Sequence, residues 1–209
     1  MPAINFRLLL VTDRHQTHGR SLPSVLDGAI QAGVPAIQLR ERDLPTAELL
    51  PLTDTIREMT ALRGIPLIMN DRVDLALALN MDGVHLRANS LPIPVVRRIA
   101  GADRLIGIST HSVKEVQEAN RDGADYIVFG PIFNTPSKRP FGPPLGLHAL
   151  VAACRESTVP LLAIGGITLE RVRDVRRAGA YGVAVIGALL MQNDVGTAVR
   201  EFTSELERA

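Results

Sequence analysis

The side chains of this chain that are best suited to chemistry are polar groups that directly follow short apolar runs. His111 closes one such run, and an ordinary imidazole pKa of about 6.5 lets it accept and return a proton near neutral pH. Lys138 is one of two lysines in the chain, and its compact charge in a proline-rich segment suits phosphate oxygens. We therefore predict that His111 and Lys138 are the catalytic residues.

Glycines at the ends of two further apolar runs predict a phosphate site. Gly165 and Gly166 end one run, and Gly187 ends the next one along the chain. Because glycine lets backbone N–H groups approach an anion closely, and a helix N-terminus adds a favourable dipole, such turns hold phosphate well. We predict that the backbone of these three glycines binds the phosphate of a small molecule.

Further polar side chains occupy the same kind of position. Asp71 is predicted to bind Mg²⁺, which needs few carboxylates when waters and substrate phosphates supply its other ligands. The remaining side chains that we predict to bind substrate or phosphate are Arg40, Arg42, Asn70, Ser109, Thr135 and Ser137. Each residue also has a structural interpretation that stays open, such as an ion-pair partner for Arg40 and a helix cap for Asp71.

The elements that must position these residues form a regular alternation. Continuous apolar runs, typical of parallel strands covered on both faces, lie at residues 8–12, 36–39, 66–69, 83–86, 105–108, 125–129, 161–164 and 182–186. This pattern predicts an α/β fold, a single (β/α)8 TIM barrel over residues 1–209, with a doubly wound open sheet as the alternative. In a barrel, all the polar residues above lie on the rim at the C-terminal ends of the strands.

Capping residues mark several of the intervening helices. Thr46 is predicted to cap one helix, Ser112 and Glu115 form a capping box at another, and Gly179 ends a third. The predicted helices with clear signals cover residues 21–32, 46–62, 112–122 and 168–178. The segment 130–146 is rich in Pro and Gly, and we predict that it is a binding loop.

The composition excludes several other classes of function. A formal net charge of +1 and an aromatic content of 3% argue against nucleic-acid binding. Cys154 is the only cysteine, which excludes an intrachain disulfide and a cysteine-rich metal site. Apolar runs of membrane-spanning length and a signal-peptide pattern are both missing, so we predict no membrane partner and a cytoplasmic location. The choice between a monomer and a homodimer stays open.

Short stretches in a characteristic order cover most of the chain. They are Gln38-Leu39-Arg40-Glu41, Asn70-Asp71-Arg72-Val73-Asp74, Gly83-Val84-His85-Leu86, Gly107-Ile108-Ser109-Thr110-His111-Ser112, Gly123-Ala124-Asp125-Tyr126, Gly130-Pro131-Ile132-Phe133 with Thr135 and Lys138, and Ile164-Gly165-Gly166-Ile167. In this order they resemble the thiamine phosphate synthases and the related thiazole tautomerases. The resemblance implies a (β/α)8 barrel that holds a thiazole phosphate.

In the synthases, the thiazole attacks a pyrimidine carbocation that forms as pyrophosphate leaves, and Mg²⁺ and basic residues hold the pyrophosphate. The resemblance implies that Arg40 holds pyrophosphate and that Asp71 binds the metal. It also implies that Asn70 and Ser109 line the pyrimidine and pyrophosphate region.

The resemblance assigns the thiazole half of the site to other residues. It implies that Thr135 and Lys138 lie where the two substrates meet. The backbone of Gly166 and Gly187 would hold the thiazole phosphate.

The chain departs from the synthase pattern at three places. The synthases read Gly-Gln-Glu-Asp after strand 4, whereas this chain reads Arg87-Ala88-Asn89-Ser90, so a second metal carboxylate is replaced by Ser90. Arg87 would then either repel a metal ion or pair with pyrophosphate directly. Arg42 replaces a lysine, and Ser137 replaces a threonine.

These departures decide between the functions that we consider. The changes at Ser90 and Arg42 favour a tautomerase that moves a proton on a thiazole carboxylate phosphate, with His111 as the proton-transfer residue. Asp71 favours the alternative, a synthase that joins a hydroxymethylpyrimidine pyrophosphate to a thiazole phosphate, because the tautomerase pattern lacks this Asp. A non-catalytic regulator that binds thiamine-related phosphates is the alternative from another class, although Lys138 and His111 argue against it. The sequence predicts the tautomerase as the main function.

Overall fold

The computed structural model describes residues 4–135 and 142–209 of the chain. In these residues, parallel strands pair in chain order and the last strand pairs with the first, which closes a barrel. The prediction of an α/β (β/α)8 TIM barrel is confirmed, and the open sheet that was its alternative is wrong.

The strands are short and match the predicted apolar runs closely. They are β1 Leu8–Val11, β2 Ile37–Leu39, β3 Leu67–Asn70, β4 Gly83–Leu86, β5 Leu105–Thr110, β6 Tyr126–Phe129, β7 Leu161–Ile164 and β8 Gly182–Val185. The register pairs Leu39 with Met69 and Asn70 with His85. The residues that follow β2, β3 and β4 therefore lie side by side on the C-terminal rim.

The helices that cover the barrel are α1 Leu22–Gln31, α2 Thr46–Ala61, α3 Val73–Ala78, α4 Ile93–Ala100, α5 Val113–Asp122, α6 Gly146–Glu156, α7 Val172–Arg177, α8 Gly187–Leu190 and α9 Val195–Arg208. The capping box is confirmed at its N-cap, because the Ser112 side chain accepts a hydrogen bond from the backbone N–H of Glu115. The cap predicted at Thr46 is wrong. Pro45 stands at that N-cap, and Thr46 is the first helical residue.

The predicted helix over 168–178 is interrupted. A short 3₁₀ turn covers Leu169–Arg171, and α7 follows it directly. Gly179, with a φ of 99°, takes the left-handed conformation expected after a helix end. The periodic pattern therefore predicted the position of this helix but not its tightened first turn.

Side chains fill the barrel interior. Phe6 and Tyr126 are fully buried there, and their rings meet edge to face with centroids 5.7 Å apart. A second and larger apolar layer lies between the strands and the helices. Since the interior is packed, substrates can bind only at the rim, where the polar residues collect.

Within residues 4–135 and 142–209, no helix combines the length and the apolar character that are needed to cross a lipid bilayer.

Candidate active site

The loop after β2 carries a cluster of guanidinium groups at the rim. Arg40 is half-buried and Arg42 is exposed. Among the described residues, the guanidinium of Arg40 makes no hydrogen bond. Burial lowers the pKa of Arg40, and the nearby charges of Arg42 and Arg87 lower it further, against the opposing carboxylates of Asp13 and Glu41. A cation held in this way is suited to bind an anion that approaches from solvent.

Hydrogen bonds from β1 hold the backbone of this loop. The hydroxyl of Thr12 donates to Oε1 of Glu41 at 2.7 Å and accepts from the backbone N–H of Arg40 at 2.8 Å. Arg14 donates to both oxygens of Asp43, at 2.6 and 2.7 Å, and this ion pair lowers the pKa of Asp43. These bonds hold the loop backbone without using the side chain of Arg40, so its guanidinium is available to bind a substrate anion.

Asp71 is engaged by two neighbours from the loop after β4. Its Oδ2 accepts from Nε of Arg87 at 2.7 Å and from Nη2 of the same group. Its Oδ1 accepts from the hydroxyl of Ser90. Asp71 has a φ of 62°, an uncommon conformation for a residue with a side chain, and its N–H bonds to His85 O at 2.9 Å. Both loops therefore fix the position of this carboxylate.

Asn70 is aligned from inside the barrel. The buried side chain of Gln38 donates through Nε2 to Oδ1 of Asn70 at 3.1 Å. Because this bond uses Oδ1 of Asn70, the amide nitrogen Nδ2 points away from Gln38. Among the described residues that amide nitrogen has no acceptor, so it is available to a substrate.

Ser109 ends a chain of hydrogen bonds that begins deep in the barrel. The ring of His85 bonds through Nδ1 to Oη of Tyr126 at 3.0 Å and through Nε2 to Oγ of Ser109 at 2.9 Å. Burial lowers the pKa of His85 to about 3 and raises the pKa of Tyr126. His85 is therefore neutral under working conditions, and it orients the Ser109 hydroxyl rather than transferring protons.

The buried His85 should make the stability of the protein depend on pH. Its folded pKa of about 3 lies below its ordinary value of 6.5, so the unfolded chain binds the proton first as the pH falls. The stability that neutral His85 provides is present above pH 6.5 and is lost as the pH falls toward 3. Between pH 7 and pH 5, we expect wild type to lose about 2 kcal/mol through this residue.

Urea unfolding of wild type and His85→Gln at both pH values measures this effect. The difference in unfolding free energy between the two proteins should shrink by about 2 kcal/mol at pH 5. The other histidines are common to both proteins and cancel. A difference that stays constant across the two pH values would contradict the burial of a neutral His85.

His111 lies at the end of β5 and is exposed. Its Nδ1 bonds to the backbone O of Gly130, and its own N–H donates to a carboxylate oxygen of Glu115 at 2.6 Å. A carbonyl can only accept, so Nδ1 carries a proton that it donates to Gly130, and Nε2 is not used by this bond. The ring is thus fixed in one orientation.

The loop after β7 packs tightly against the loop after β6. A Cβ at Gly166 would lie 2.7 Å from the backbone O of Asn134 and 2.9 Å from Cβ of Phe133, and Gly166 has a φ of 64°. Arg171 donates to the backbone O of Gly166 at 2.6 Å and stacks over the Phe133 ring. Gly166 is therefore required for the contact between loops as well as for any approach of an anion.

Backbone donors collect after β7 and β8. The N–H groups of Gly165, Gly166, Gly187 and Ala188 have no acceptor among the described residues. Gly187 begins the short helix α8, which follows β8 directly. This combination of two strand-end turns and a short extra helix is the usual phosphate site of TIM barrels.

The chain matches the sequence model described as thiamine monophosphate synthase over residues 8–189. The chain belongs to the thiamine monophosphate synthase family. A thiamine-phosphate synthase from Roseiflexus castenholzii is 44% identical over 191 residues, which cover 91% of this chain and 84% of that protein. One from Clostridium novyi is 41% identical over 192 residues, covering 92% and 94% of the two chains. The solved structure of a thiamine phosphate pyrophosphorylase from Pyrococcus furiosus has a TM-score of 0.88 and 33% identity, covering 98% of this chain and 97% of that one.

Membership in the thiamine monophosphate synthase family makes this chain an enzyme of thiamine biosynthesis, as the resemblance implied. The relatives carry the name of the synthase. They support the synthase alternative better than the tautomerase, which the sequence departures favoured. Those departures concern single side chains, whereas the family match extends over most of the chain.

The predicted site residues of this family member fall into two groups along the rim of the barrel. Residues at the C-terminal ends of β2 to β5 and in the loops after them form a polar and basic side, which contains Arg40, Arg42, Asn70, Asp71, Ser109 and His111. Gly165, Gly166 and Gly187 form a backbone-donor side after β7 and β8. Thr135 lies half-buried in the loop after β6, whereas Ser137 and Lys138 lie outside the described residues.

The donor set around Asp71 does not fit the Mg²⁺ ion that the family resemblance implies. Both oxygens of the carboxylate are occupied by side chains of the protein, and one of these, Arg87, is itself a cation. In the part of the chain that the structure describes, no group of three or more His, Cys, Asp or Glu side chains is arranged to hold a metal. We therefore derive no step through a metal ion.

Sequence reasoning missed two residues that shape the site. Gln38 lies inside a strand and points into the barrel, so its motif position gave no sign of its hydrogen bond to Asn70. Gln16 was missed because it lies in an irregular loop, although a Cβ at Gly187 would lie 2.5 Å from its Oε1. The polarity of Gln38 within an apolar strand was the available signal.

Proposed function

We propose that this chain is a thiamine phosphate synthase, which joins a hydroxymethylpyrimidine pyrophosphate to a thiazole phosphate and releases pyrophosphate. The observation that carries the proposal is the presence of two separate anion-binding sides on one rim. The basic side after β2 to β4 is suited to a pyrophosphate, and the backbone-donor side after β7 and β8 is suited to a monophosphate. A tautomerase substrate carries one phosphate and one carboxylate, and a cluster of guanidinium groups suits the larger charge of a pyrophosphate better than a single carboxylate.

The reaction needs charge stabilisation more than proton transfer. The thiazole nitrogen forms a bond to the methylene carbon of the pyrimidine, and the bond from that carbon to the pyrophosphate oxygen breaks. The electron pair leaves with pyrophosphate, whose growing negative charge Arg40 and Arg42 are placed to stabilise. Substrate bound between the two sides of the rim would place the reacting atoms close together.

The remaining side chains orient the two rings. The free amide nitrogen of Asn70 and the fixed hydroxyl of Ser109 are suited to the polar edge of a pyrimidine. His111, whose Nε2 is not used by the bond to Gly130, lies on the basic side after β5, and Thr135 lies in the loop after β6. The proposed roles of Ser137 and Lys138 in substrate binding rest on the family resemblance alone.

Gly187 offers a clean test of the monophosphate side. The atoms nearest to a Cβ there belong to two flexible side chains, with Gln16 Oε1 at 2.5 Å and Met191 Sδ at 3.0 Å. Gly187→Val should therefore fold, while the added side chain disturbs the donors that hold the phosphate. We expect thiazole phosphate to bind about 10- to 100-fold more weakly.

Calorimetry with thiazole phosphate measures the loss, and a melting curve checks the fold. Gly166→Val is a poor substitute because it would break the contact with Asn134 and Phe133. An unchanged affinity in folded Gly187→Val would move the thiazole phosphate to another part of the rim.

A side-by-side assay tests the proposed function. Purified protein is given hydroxymethylpyrimidine pyrophosphate with thiazole phosphate in one reaction and thiazole carboxylate phosphate in another. We expect thiamine phosphate in the first reaction and no catalysed isomerisation in the second. Isomerisation without thiamine phosphate would establish the tautomerase instead, and binding without either product would establish the regulator.

A further inference from the structure

The side chains of Asp71 and Ser90 form hydrogen bonds with Arg87 and with each other. Two nitrogens of the Arg87 guanidinium donate to one oxygen of Asp71, and the hydroxyl of Ser90 donates to the other. The Ser90 oxygen in turn accepts from the backbone N–H of Arg87 at 2.8 Å. These three residues form a closed set that fixes the guanidinium on the rim.

The fixed guanidinium still has donors to offer. Asp71 occupies Nε and Nη2, whereas Nη1 of Arg87 has no acceptor among the described residues. The Arg87 side chain is 39% exposed, so an anion from solvent can reach it. Its charge also reaches Arg40, the half-buried cation that makes no hydrogen bond within the described chain. Two guanidinium groups, from the loops after β2 and β4, therefore lie close enough on the rim for their charges to interact.

Arg87 together with Ser90 also matches the net charge of a divalent metal held by a carboxylate. A hydroxyl at position 90 and a guanidinium at position 87 together add one positive charge to the site. A dication held by a second carboxylate at position 90 would add the same net charge. A metal ion drawn to Asp71 would have to displace Arg87 or lie beside its positive charge, and both cost free energy.

We propose that Arg87, oriented by Asp71 and Ser90, takes the place of a divalent metal in this chain, so that pyrophosphate binds without a metal ion. The inference rests on the proposed function, because pyrophosphate is the leaving group of that reaction. Arg87 and Arg40 donate hydrogen bonds to the pyrophosphate oxygens as the C–O bond breaks and the electron pair passes to the leaving oxygen. Neither arginine gives up a proton, and the new C–N bond to the thiazole balances the step.

Binding of inorganic pyrophosphate in buffer that contains a chelator tests the proposal directly. Wild type should bind, and Arg87→Gln should bind about 10- to 100-fold more weakly, because a charged hydrogen-bond donor is lost. Arg72→Gln is the matched control, since Arg72 also pairs with an aspartate, Asp74, but through an exposed contact next to the site. Its affinity should stay within about twofold of wild type.

Arg87→Lys keeps the result interpretable if Arg87→Gln does not fold. Lysine retains the charge but lacks the planar guanidinium, which can donate to Asp71 and to pyrophosphate at the same time. The loss of pyrophosphate affinity should therefore be smaller than in Arg87→Gln. Pyrophosphate affinity that is unchanged in a folded Arg87 variant would overturn the proposal. A wild type that binds pyrophosphate only when a divalent metal is added would overturn it as well.

Metal binding supplies an independent readout. Free Mn²⁺ is followed by electron paramagnetic resonance in the presence of wild type and of a double variant, Arg87→Gly with Ser90→Asp. Wild type should leave the Mn²⁺ signal unchanged, and the double variant should take up the ion. Uptake by wild type would show that Asp71 accepts a metal despite Arg87.

Neither experiment measures the formation of thiamine phosphate, so the two proposals can fail separately. Loss of pyrophosphate affinity in Arg87→Gln would support the role of Arg87 even if no thiamine phosphate were formed. If wild type forms thiamine phosphate but Arg87→Gln binds pyrophosphate as tightly as wild type does, the proposed function stands and this inference is rejected.

Discussion

Replacing Arg40 with methionine should lower kcat/KM for thiamine phosphate formation by about a thousandfold and raise the stability of the protein at the same time. The loss of activity follows from removing a preorganised cation at the place where the leaving pyrophosphate gains charge. The gain in stability follows from the lowered pKa of Arg40, since burial and neighbouring cations disfavour its charged form in the folded protein. We expect a gain of about 1 kcal/mol, or a rise in Tm of about 2–4 °C.

Steady-state kinetics and a melting curve on the same preparation measure the two effects. Arg72→Gln is again the control, because Arg72 forms an exposed ion pair with Asp74 and should change neither quantity. An Arg40→Met protein that loses both activity and stability would mean that Arg40 is a structural ion-pair residue. That structural role is the interpretation the sequence left open.

Gly107→Ala should destabilise the protein by about 3 kcal/mol, which is a large effect for one added methyl group. Gly107 lies opposite Tyr126 in the register of β5 and β6, and an added Cβ would overlap the Tyr126 ring. The ring cannot move aside easily, because it is fully buried between Phe6 and His85. The shift would also break the hydrogen bond from Tyr126 to His85 and so disturb Ser109.

A double-mutant cycle separates this overlap from a general loss of packing. Tyr126→Leu alone removes the ring and should also destabilise, by about 2–4 kcal/mol. Because leucine leaves room for the new Cβ, the double variant should lose less than the sum of the single losses, by at least about 1 kcal/mol. Strictly additive losses in urea unfolding would show that Gly107 and Tyr126 do not compete for the same space.

Local sequence patterns predicted most of the fold. Continuous apolar runs gave all the strands of the closed barrel, because a parallel strand covered on both faces has no exposed side to interrupt the run. The cap at Ser112 was predictable because its partner, Glu115, lies within the same turn. Thr46 was assigned wrongly as a cap, since Pro45 fits the same position and only the backbone geometry distinguishes them.

The positions of the site residues were predictable, but their partners were not. Position after a strand end placed Arg40, Asp71 and Ser109 on one rim. The pairing of Asp71 with Arg87 depends on where two loops from different strands bring their side chains, which no local spacing encodes. The chain of hydrogen bonds from Tyr126 through His85 to Ser109 depends in the same way on strand register.

The most direct test of the proposed synthase is a single-turnover experiment with enzyme in excess over hydroxymethylpyrimidine pyrophosphate, stopped by rapid quenching. Thiamine phosphate and pyrophosphate are measured in the same samples, with and without thiazole phosphate. We expect the two products in a final ratio of about one to one when thiazole phosphate is present, since each pyrophosphate that leaves is matched by one new C–N bond to the thiazole. Pyrophosphate in clear excess over thiamine phosphate when thiazole phosphate is present, or no pyrophosphate at all, would contradict a synthase built on the two anion-binding sides of this rim.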